Sequence, residues 1–132
     1  MKLGVHASYI SVPWTTVYPV PASVPVCTAA ASLIQGLTAI TAFTDSYPVK
    51  ANDTVFIHTI SGGLGLLLAQ YAHSIGATVI GTTSSKAKAE EAKKHGADHV
   101  IIYKEEDTVK RVLEITNGEG VNVIIDGVGK DT

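Results

Sequence analysis

Short apolar segments alternate with segments of helical character over most of the chain. The apolar segments are rich in β-branched residues, and each helical segment closes on a glycine suited to a left-handed helix terminus. Strands are predicted at 54–58, 78–83, 99–103 and 121–126, and helices at 62–76, 85–96 and 105–118. Because the strands are continuous apolar runs, helices should cover both sheet faces. The pattern predicts an α/β fold with a doubly wound parallel sheet of about four strands.

The first part of the chain has a different character. Residues 1–26 carry four of the five prolines and are predicted to form an extended lead-in. The alanine-rich stretch that follows predicts a largely buried helix that Thr28 caps and in which Gly36 permits close approach. Cys27 is the single cysteine, so neither an internal disulfide nor a zinc-binding cysteine cluster is expected, and its thiol is predicted to be buried and inert.

Composition and charge narrow the class of protein. The chain has 132 residues, of which 45% are hydrophobic and 17% charged, and this is enough for one sizeable core. A net charge of -2 with scattered lysines disfavours a nucleic-acid partner. No stretch reaches the roughly 18 uncharged apolar residues of a membrane span, and no signal peptide is evident, so neither a membrane partner nor secretion is expected. The predicted location is cytoplasmic.

Residues 58–70, HTISGGLGLLLAQ, place glycines between the first predicted strand and its helix. A helix N-terminus offers unpaired backbone N–H groups and a positive dipole end, where a pyrophosphate docks if no Cβ blocks it. Gly62 and Gly63 would clear that approach, and Gly65 would let the helix pack close to the strand. Thr59 stands where the dinucleotide fingerprint has its first glycine. The alternative is a tight turn without a ligand.

The end of the second predicted strand favours one cofactor. Residues 82–88 read TTSSKAK and contain hydroxyls and lysines but no acid. An acid here would bind the ribose of NAD, whereas Ser84 or Ser85 can hydrogen-bond a 2′-phosphate and Lys86 or Lys88 can neutralise it. NADPH is therefore predicted over NADH. The alternative is that Ser85 caps the helix and the lysines form its solvated face.

Several segments together resemble a known family. ISVPW, IQGLTA, HTISGGLGLLLAQYA, GADHVIIY and ITNGEGVNVIIDGVGKDT, in this order, resemble the NADPH-dependent quinone oxidoreductases of the zinc-independent, ζ-crystallin-like branch of the medium-chain dehydrogenase/reductases. The resemblance implies a Rossmann domain, whose four strands would have the order 3-2-1-4. It also implies eight cofactor-binding residues: Gly62, Gly63 and Leu64 against the pyrophosphate, Thr38 near the nicotinamide, Ser84, Lys88 and Tyr103 around the 2′-phosphate, and Gly127 in the loop beyond the fourth strand.

The chain departs from this family in three respects. Ile60 and Ser61 stand where similar members carry Ala-Ala or Ala-Ser, which makes a bulkier entry to the double glycine. Ile34 stands where the zinc-dependent branch has a cysteine ligand, so catalytic zinc is not expected. Relatives also begin with a GroES-like catalytic domain and continue further. Residues 1–26 are therefore expected to be a lead-in from that missing domain, and residues 27–132 a truncated NADPH-binding Rossmann domain.

The predicted fourth strand, residues 121–126, would then be an apolar sheet edge, and such an edge favours a homodimer. The resemblance implies hydride transfer from NADPH to a quinone or another unsaturated carbonyl, with the complete protein as the enzyme and the isolated fragment inactive. No catalytic residue is assigned, because His58, the nearest candidate acid, is expected to be structural. The alternatives are an enoyl or alkenal reductase of the same superfamily, and a nucleotide-sensing or AU-rich RNA-binding module without turnover.

Overall fold

A computed structural model describes residues 7–129 of the chain. Four parallel strands form one sheet in the order β3-β2-β1-β4, which confirms the predicted α/β fold and strand order. The strands are β1 (Thr54–Ile57), β2 (Thr78–Thr83), β3 (His99–Ile102) and β4 (Val123–Ile125). The helices are α1 (Val26–Thr41), α2 (Gly63–Ile75), α3 (Lys86–Lys94) and α4 (Thr108–Ile115), with a π-helical turn (Ala42–Ser46) after α1.

Helices pack on both faces of the sheet, as the continuous apolar strands predicted, but Ile124 of β4 remains 58% exposed. Alternate residues of β1 point to opposite sides, so Val55 and Ile57 pack with α2 residues such as Leu68, whereas Phe56 faces the other way. On that second side Phe56 joins a smaller cluster with Ile80 and Ile101, against which Val112 and Ile115 of α4 pack.

The glycines predicted at the helix ends all adopt the left-handed conformation, although α3 and α4 end at Lys94 and Ile115, before their glycines. Gly76, Gly96 and Gly118 follow α2, α3 and α4 with φ angles of 90°, 94° and 87°, the left-handed conformation that glycine adopts without a Cβ penalty. Three strands are shorter than predicted. β4 begins only at Val123 because the side chain of Asn122 occupies the preceding ladder position, where its Oδ1 accepts the Thr54 N–H at 2.7 Å.

The chain divides into two compact units, Met1–Ala31 and Ser32–Thr132. In the first, the described residues up to Pro25 contain a single 3₁₀ turn, Trp14–Thr16. The predicted cap at Thr28 is wrong, because α1 begins at Val26 and the Pro25 carbonyl already accepts the Ala29 N–H at 3.0 Å. The prediction of a buried Cys27 thiol is also wrong, since this residue is exposed.

The prediction that α1 is largely buried is wrong as well. Ala39 is its one buried residue, and Ile34 remains 74% exposed. A Cβ added at Gly36 would meet no atom within 4 Å, so this glycine permits no close approach in the described chain. The apolar composition of α1 predicted burial, but the described residues offer too little surface to cover it.

The segment Val26–Ser46 has 21 residues and is long and apolar enough to cross a membrane by length and composition. The expectation that no such stretch exists is therefore wrong. It rested on a count of continuous apolar residues, whereas alanine, threonine and glycine keep this segment apolar on average with Asp45 as its one charged residue. Core helices of globular proteins pass the same test, so this property alone places nothing in a membrane.

Candidate functional site

The turn between β1 and α2 has an unusual backbone at Thr59. Its φ angle is 52°, a left-handed conformation that is costly for a β-branched residue and free for the glycine that the dinucleotide fingerprint has there. Hydrogen bonds to β2 hold the turn in this shape. Thr82 accepts the Thr59 N–H on its Oγ1 at 3.3 Å and the Ile60 N–H on its carbonyl at 3.0 Å. The position therefore keeps the fingerprint conformation without its glycine.

The bulky Ile60 does not obstruct the turn. Its side chain is fully buried and packs over Gly81 of β2. A Cβ at Gly81 would lie only 2.5 Å from Ile60 Cδ1, so the isoleucine occupies the volume that a side chain at position 81 would need. The departure from the family pattern at position 60 is thus accommodated inside the core.

The second departure, Ser61, makes a side-chain contact to β2. Ser61 Oγ lies 2.7 Å from Thr83 Oγ1, a hydrogen-bond distance at which either hydroxyl can donate. Thr83 is 2% exposed and Ser61 is half-buried. Ser61, which precedes the double glycine, is therefore hydrogen-bonded to Thr83, the last residue of β2.

Gly65 allows α2 to approach the turn closely. A Cβ at this position would lie 2.6 Å from both the Thr59 and the Ile60 carbonyl oxygens, a separation that real Cβ atoms do not show. Gly65 was predicted to let the helix pack close to the strand, but the close approach is to the turn that follows β1. This packing brings the first amides of α2 to the end of β1.

These first amides form a seat that an anion could occupy. The first i to i−4 hydrogen bond runs from the Leu66 N–H to the Gly62 carbonyl at 2.9 Å, so the N–H groups of Gly63, Leu64 and Gly65 lie ahead of the helical ladder. Gly62 and Gly63 are exposed and Leu64 is half-buried. The Gly62 N–H donates to the Thr59 carbonyl at 2.9 Å, and a Cβ on Gly62 would lie 3.2 Å from the same oxygen, so Gly62 closes the turn and offers no free donor.

The residues predicted to surround a 2′-phosphate follow the ends of two adjacent strands. Ser84 comes directly after β2 and Tyr103 directly after β3, and the Tyr103 N–H donates to the Thr83 carbonyl at 3.2 Å. Ser84 is half-buried, whereas Tyr103 is 49% exposed. Lys88 lies in the first turn of α3 and is exposed. Ser85 occupies the N-cap position of α3 but makes no side-chain capping hydrogen bond, so the capping alternative has no support at its hydroxyl.

The remaining predicted residues lie on different elements. Gly127 follows β4, where the Asp126 Oδ1 accepts the N–H groups of Val128 at 2.8 Å and Gly129 at 3.1 Å and so shapes the loop. Thr38 lies on α1 and is exposed, and its Oγ1 donates to the Ile34 carbonyl at 2.8 Å. Gln35 of α1, a residue that the sequence had not singled out, lies near the start of α2: its Nε2 is 3.5 Å from the place that a Cβ on Gly63 would occupy.

His58 is engaged within the turn. Its Nδ1 lies 3.3 Å from Thr82 Oγ1, and its ring packs edge-on against Phe56 with 4.8 Å between ring centroids. Its backbone N–H donates to the Ile125 carbonyl at 3.0 Å and joins β1 to β4. These contacts hold the ring and the backbone of His58 between β1, β2 and β4.

No zinc site can be built from the residues between positions 7 and 129. Within that range no group of three or more His, Cys, Asp or Glu side chains is placed to hold a metal ion. Cys27 is exposed and has no second cysteine to assist it. The donor set in this part of the chain does not fit tetrahedral zinc.

The chain is similar to known oxidoreductases over most of its length. The probable quinone oxidoreductase of Schizosaccharomyces pombe is 45% identical over 129 residues, which cover 98% of this chain and 39% of that protein. The 2-haloacrylate reductase of a Burkholderia sp is 44% identical over 100 residues, 76% of this chain and 30% of that protein. The crystal structure of Escherichia coli quinone oxidoreductase complexed with NADPH superposes with a TM-score of 0.83 at 42% identity, over 86% of this chain and 35% of that one.

The chain spans 39% to 40% of the length of three quinone oxidoreductases that it matches. The family profile described as zinc-binding dehydrogenase matches residues 63–132, from the double glycine onward. The matched range includes six of the eight residues predicted to bind the cofactor, all except Thr38 and Gly62. The chain therefore belongs to the zinc-binding dehydrogenase family.

Proposed function

We propose that this chain binds NADPH and forms the nucleotide-binding part of an NADPH-dependent quinone oxidoreductase. One observation carries the proposal. Exposed glycines before α2 and a segment of hydroxyls and lysines after β2 lie at the same end of the sheet, where β1 and β2 have their carboxyl ends. The first feature suits a pyrophosphate and the second a 2′-phosphate. The solved Escherichia coli relative is a complex with NADPH.

The residues present fit such a cofactor. The N–H groups of Gly63 and Leu64 would donate to the pyrophosphate, and the absent side chain of Gly62 would leave room for it. Ser84, Lys88 and Tyr103 would surround the 2′-phosphate, where the lysine ammonium supplies a charge-assisted hydrogen bond. Gly127 would border the cofactor beyond β4 and Thr38 the nicotinamide side. When bound, NADPH supplies the hydride, and the protein supplies orientation and electrostatics.

A quinone is the proposed hydride acceptor, and an enoyl or alkenal substrate is the second candidate. The names of the quinone oxidoreductases support the first. The similarity to a 2-haloacrylate reductase favours the second, because a haloacrylate is an unsaturated acid. A cytoplasmic location is part of the proposal, and the exposed free thiol of Cys27 fits a reducing compartment.

The cofactor preference can be tested by titration of the intact protein with NADPH and with NADH, followed by nicotinamide fluorescence. Tighter binding of NADPH is expected. Lys88→Ala should weaken NADPH binding roughly ten- to a hundredfold and NADH binding little, because a single charge-assisted contact to the phosphate is lost.

Lys93→Ala is the matched control, since this exposed lysine of the same helix pairs with Glu90 at 3.1 Å and should leave both affinities unchanged. Equal losses for both dinucleotides in Lys88→Ala would show that the 2′-phosphate lies elsewhere. Binding of neither dinucleotide by the unaltered protein would overturn the proposed function, and saturable RNA binding in its place would favour the alternative module.

A further inference from the structure

Two buried threonines face the turn that joins β1 to α2, residues 58–62, which we call the phosphate turn. Among the residues that the structure describes, the buried polar residues are Thr82 and Thr83, with 3% and 2% of their surface exposed. Both lie at the end of β2, and both hydroxyls meet the turn that precedes α2. A valine would fill similar space without the cost of burying a hydroxyl, so the presence of both threonines at this one place indicates a task beyond packing.

The two hydroxyls act on different parts of the turn. Thr82 holds its left-handed start through the Thr59 N–H, while Thr83 holds its end through Ser61. Ser61 is the chain neighbour of Gly62, the first residue of the proposed pyrophosphate site. Thr83 is bonded directly to Ser84, which opens the segment proposed for the 2′-phosphate. The 2.7 Å contact between Ser61 Oγ and Thr83 Oγ1 therefore links the residue before Gly62 to the residue before Ser84.

We propose that the Ser61–Thr83 hydroxyl pair is a positioning device that sets the preference for NADPH over NADH. The inference rests on the proposed function and deepens it. NADPH must satisfy both phosphate positions at once, so a fixed separation between Gly62 and Ser84 favours it. NADH places no phosphate beside Ser84, so it gains little from that separation. Neither hydroxyl is a catalytic residue, because each acts through its neighbour.

The test is a double-mutant cycle in the intact protein, with dissociation constants for NADPH and NADH as the readout. Ser61→Ala and Thr83→Val remove the same hydrogen bond from opposite sides. Each should weaken NADPH binding about three- to tenfold, the effect of one lost hydrogen bond, and change NADH binding less than about twofold. The double variant should lose no more than a single one, because one bond cannot be lost twice.

Thr116→Val is the matched control. The Thr116 hydroxyl also joins two backbone segments, since it donates to the Val112 carbonyl at 2.8 Å and accepts the Gly120 N–H at 2.9 Å. These bonds lie after α4, away from the phosphate turn. This substitution should lower thermal stability and leave the ratio of the two dissociation constants unchanged. If Thr83→Val does not fold, Ser61→Ala tests the same bond from a half-buried position.

Equal losses for NADPH and NADH, or additive losses in the double variant, would overturn the proposal. Amide hydrogen exchange separates this failure from that of the proposed function. In Thr83→Val the N–H groups of Ile60 and Gly62, which close the turn, should exchange faster than in the unaltered protein. Unchanged exchange at both amides would overturn the positioning role, even if the unaltered protein prefers NADPH. Failure of the unaltered protein to bind either dinucleotide would refute the proposed function, and with it any cofactor preference.

Discussion

The side chain of Ile60 fills the space in the core that a side chain on Gly81 would need. An ideal Cβ on Gly81 would lie 2.5 Å from Ile60 Cδ1, 2.6 Å from Ile60 Cβ and 2.8 Å from the Ile57 carbonyl oxygen. Gly81 lies in β2 opposite Ile57, the last residue of β1, and Ile60 lies in the phosphate turn that follows. A side chain at position 81 is therefore excluded from two sides, by a buried side chain and by the backbone of the adjacent strand.

Gly81→Ala should consequently destabilise the protein by about 1 to 3 kcal/mol, the usual cost of overpacking a core. The free energy of unfolding in urea measures this loss. Gly36→Ala is the control with the opposite sign: its Cβ meets nothing within 4 Å, so the better helix former should add about 0.5 to 1 kcal/mol. Wild-type stability in Gly81→Ala would show that Ile60 can move aside.

The left-handed backbone at Thr59 predicts that glycine is preferred there. Thr59→Gly removes a strain of about 1 to 2 kcal/mol and adds some flexibility to the unfolded chain, so a net gain of about 0.5 to 1 kcal/mol is expected. The lost hydrogen bond from Thr59 Oγ1 to the His58 carbonyl is exposed and is replaced by water. Chemical denaturation provides the measurement.

Asn52 supplies the comparison for this substitution. Its φ angle is 73°, but asparagine tolerates the left-handed region, so Asn52→Gly should change stability little. A similar gain at both positions would mean that the shape of the turn at Thr59 carries no special strain.

Tyr47 predicts a pH dependence. Burial, followed by the charge of Asp53 and a hydrogen bond to it, raises the pKa of the Tyr47 phenol above its ordinary value of 10.0. As the pH rises through about 10, the unfolded chain then releases the phenolic proton before the folded one does. The contribution of Tyr47 to stability is therefore complete below that pH and is lost above it.

Urea unfolding at about pH 8 and about pH 11 should show this loss, and Tyr47→Phe should remove its share of the decline. Asp53→Asn retains an oxygen that can accept the Lys50 N–H, now 2.9 Å from Asp53 Oδ2, and removes the charge. It should bring the pKa of Tyr47 closer to the ordinary value. An unchanged tyrosinate titration in Asp53→Asn would rule out Asp53 as a cause.

The outer edge of β4 predicts self-association. β4 is the last strand in the sheet order, and Ile124 is 58% exposed. We propose a homodimer through this edge, so sedimentation should depend on protein concentration and Ile124→Lys should shift the chain towards the monomer. Val109→Lys is the control, because Val109 is 69% exposed on α4 and not on the strand. A monodisperse monomer of the unaltered chain would contradict the proposal.

The sequence predicted the elements better than their contacts. The glycines after α2, α3 and α4, together with the continuous apolar strands, were sufficient to predict a parallel sheet between helices. The strand order followed from the resemblance to a known family. The burial of α1 could not be predicted in the same way. Apolar residues show that a surface suits burial, but not whether a covering surface is present.

The glycine positions of the candidate site followed from spacing, whereas its connections to β2 did not. The contact of Ile60 with Gly81 and that of Ser61 with Thr83 depend on the register in which Ile57 lies opposite Gly81. A shift by one residue would turn different side chains towards the turn. Hydroxyls at both positions were visible in the sequence, but register is a tertiary property and pairs them only in the fold.

The pairing of β4 with β1 also determines the order in which the sheet can assemble. The hydrogen bond between Asn122 and Thr54 spans 68 positions, whereas β1, β2 and β3 are each joined to the next by a single intervening helix. Closing the longest loop carries the largest entropy cost, so docking of β4 should be the slow step that completes folding. During synthesis on the ribosome, the side of β1 that later pairs with β4 would meanwhile remain unpaired and accessible to chaperones.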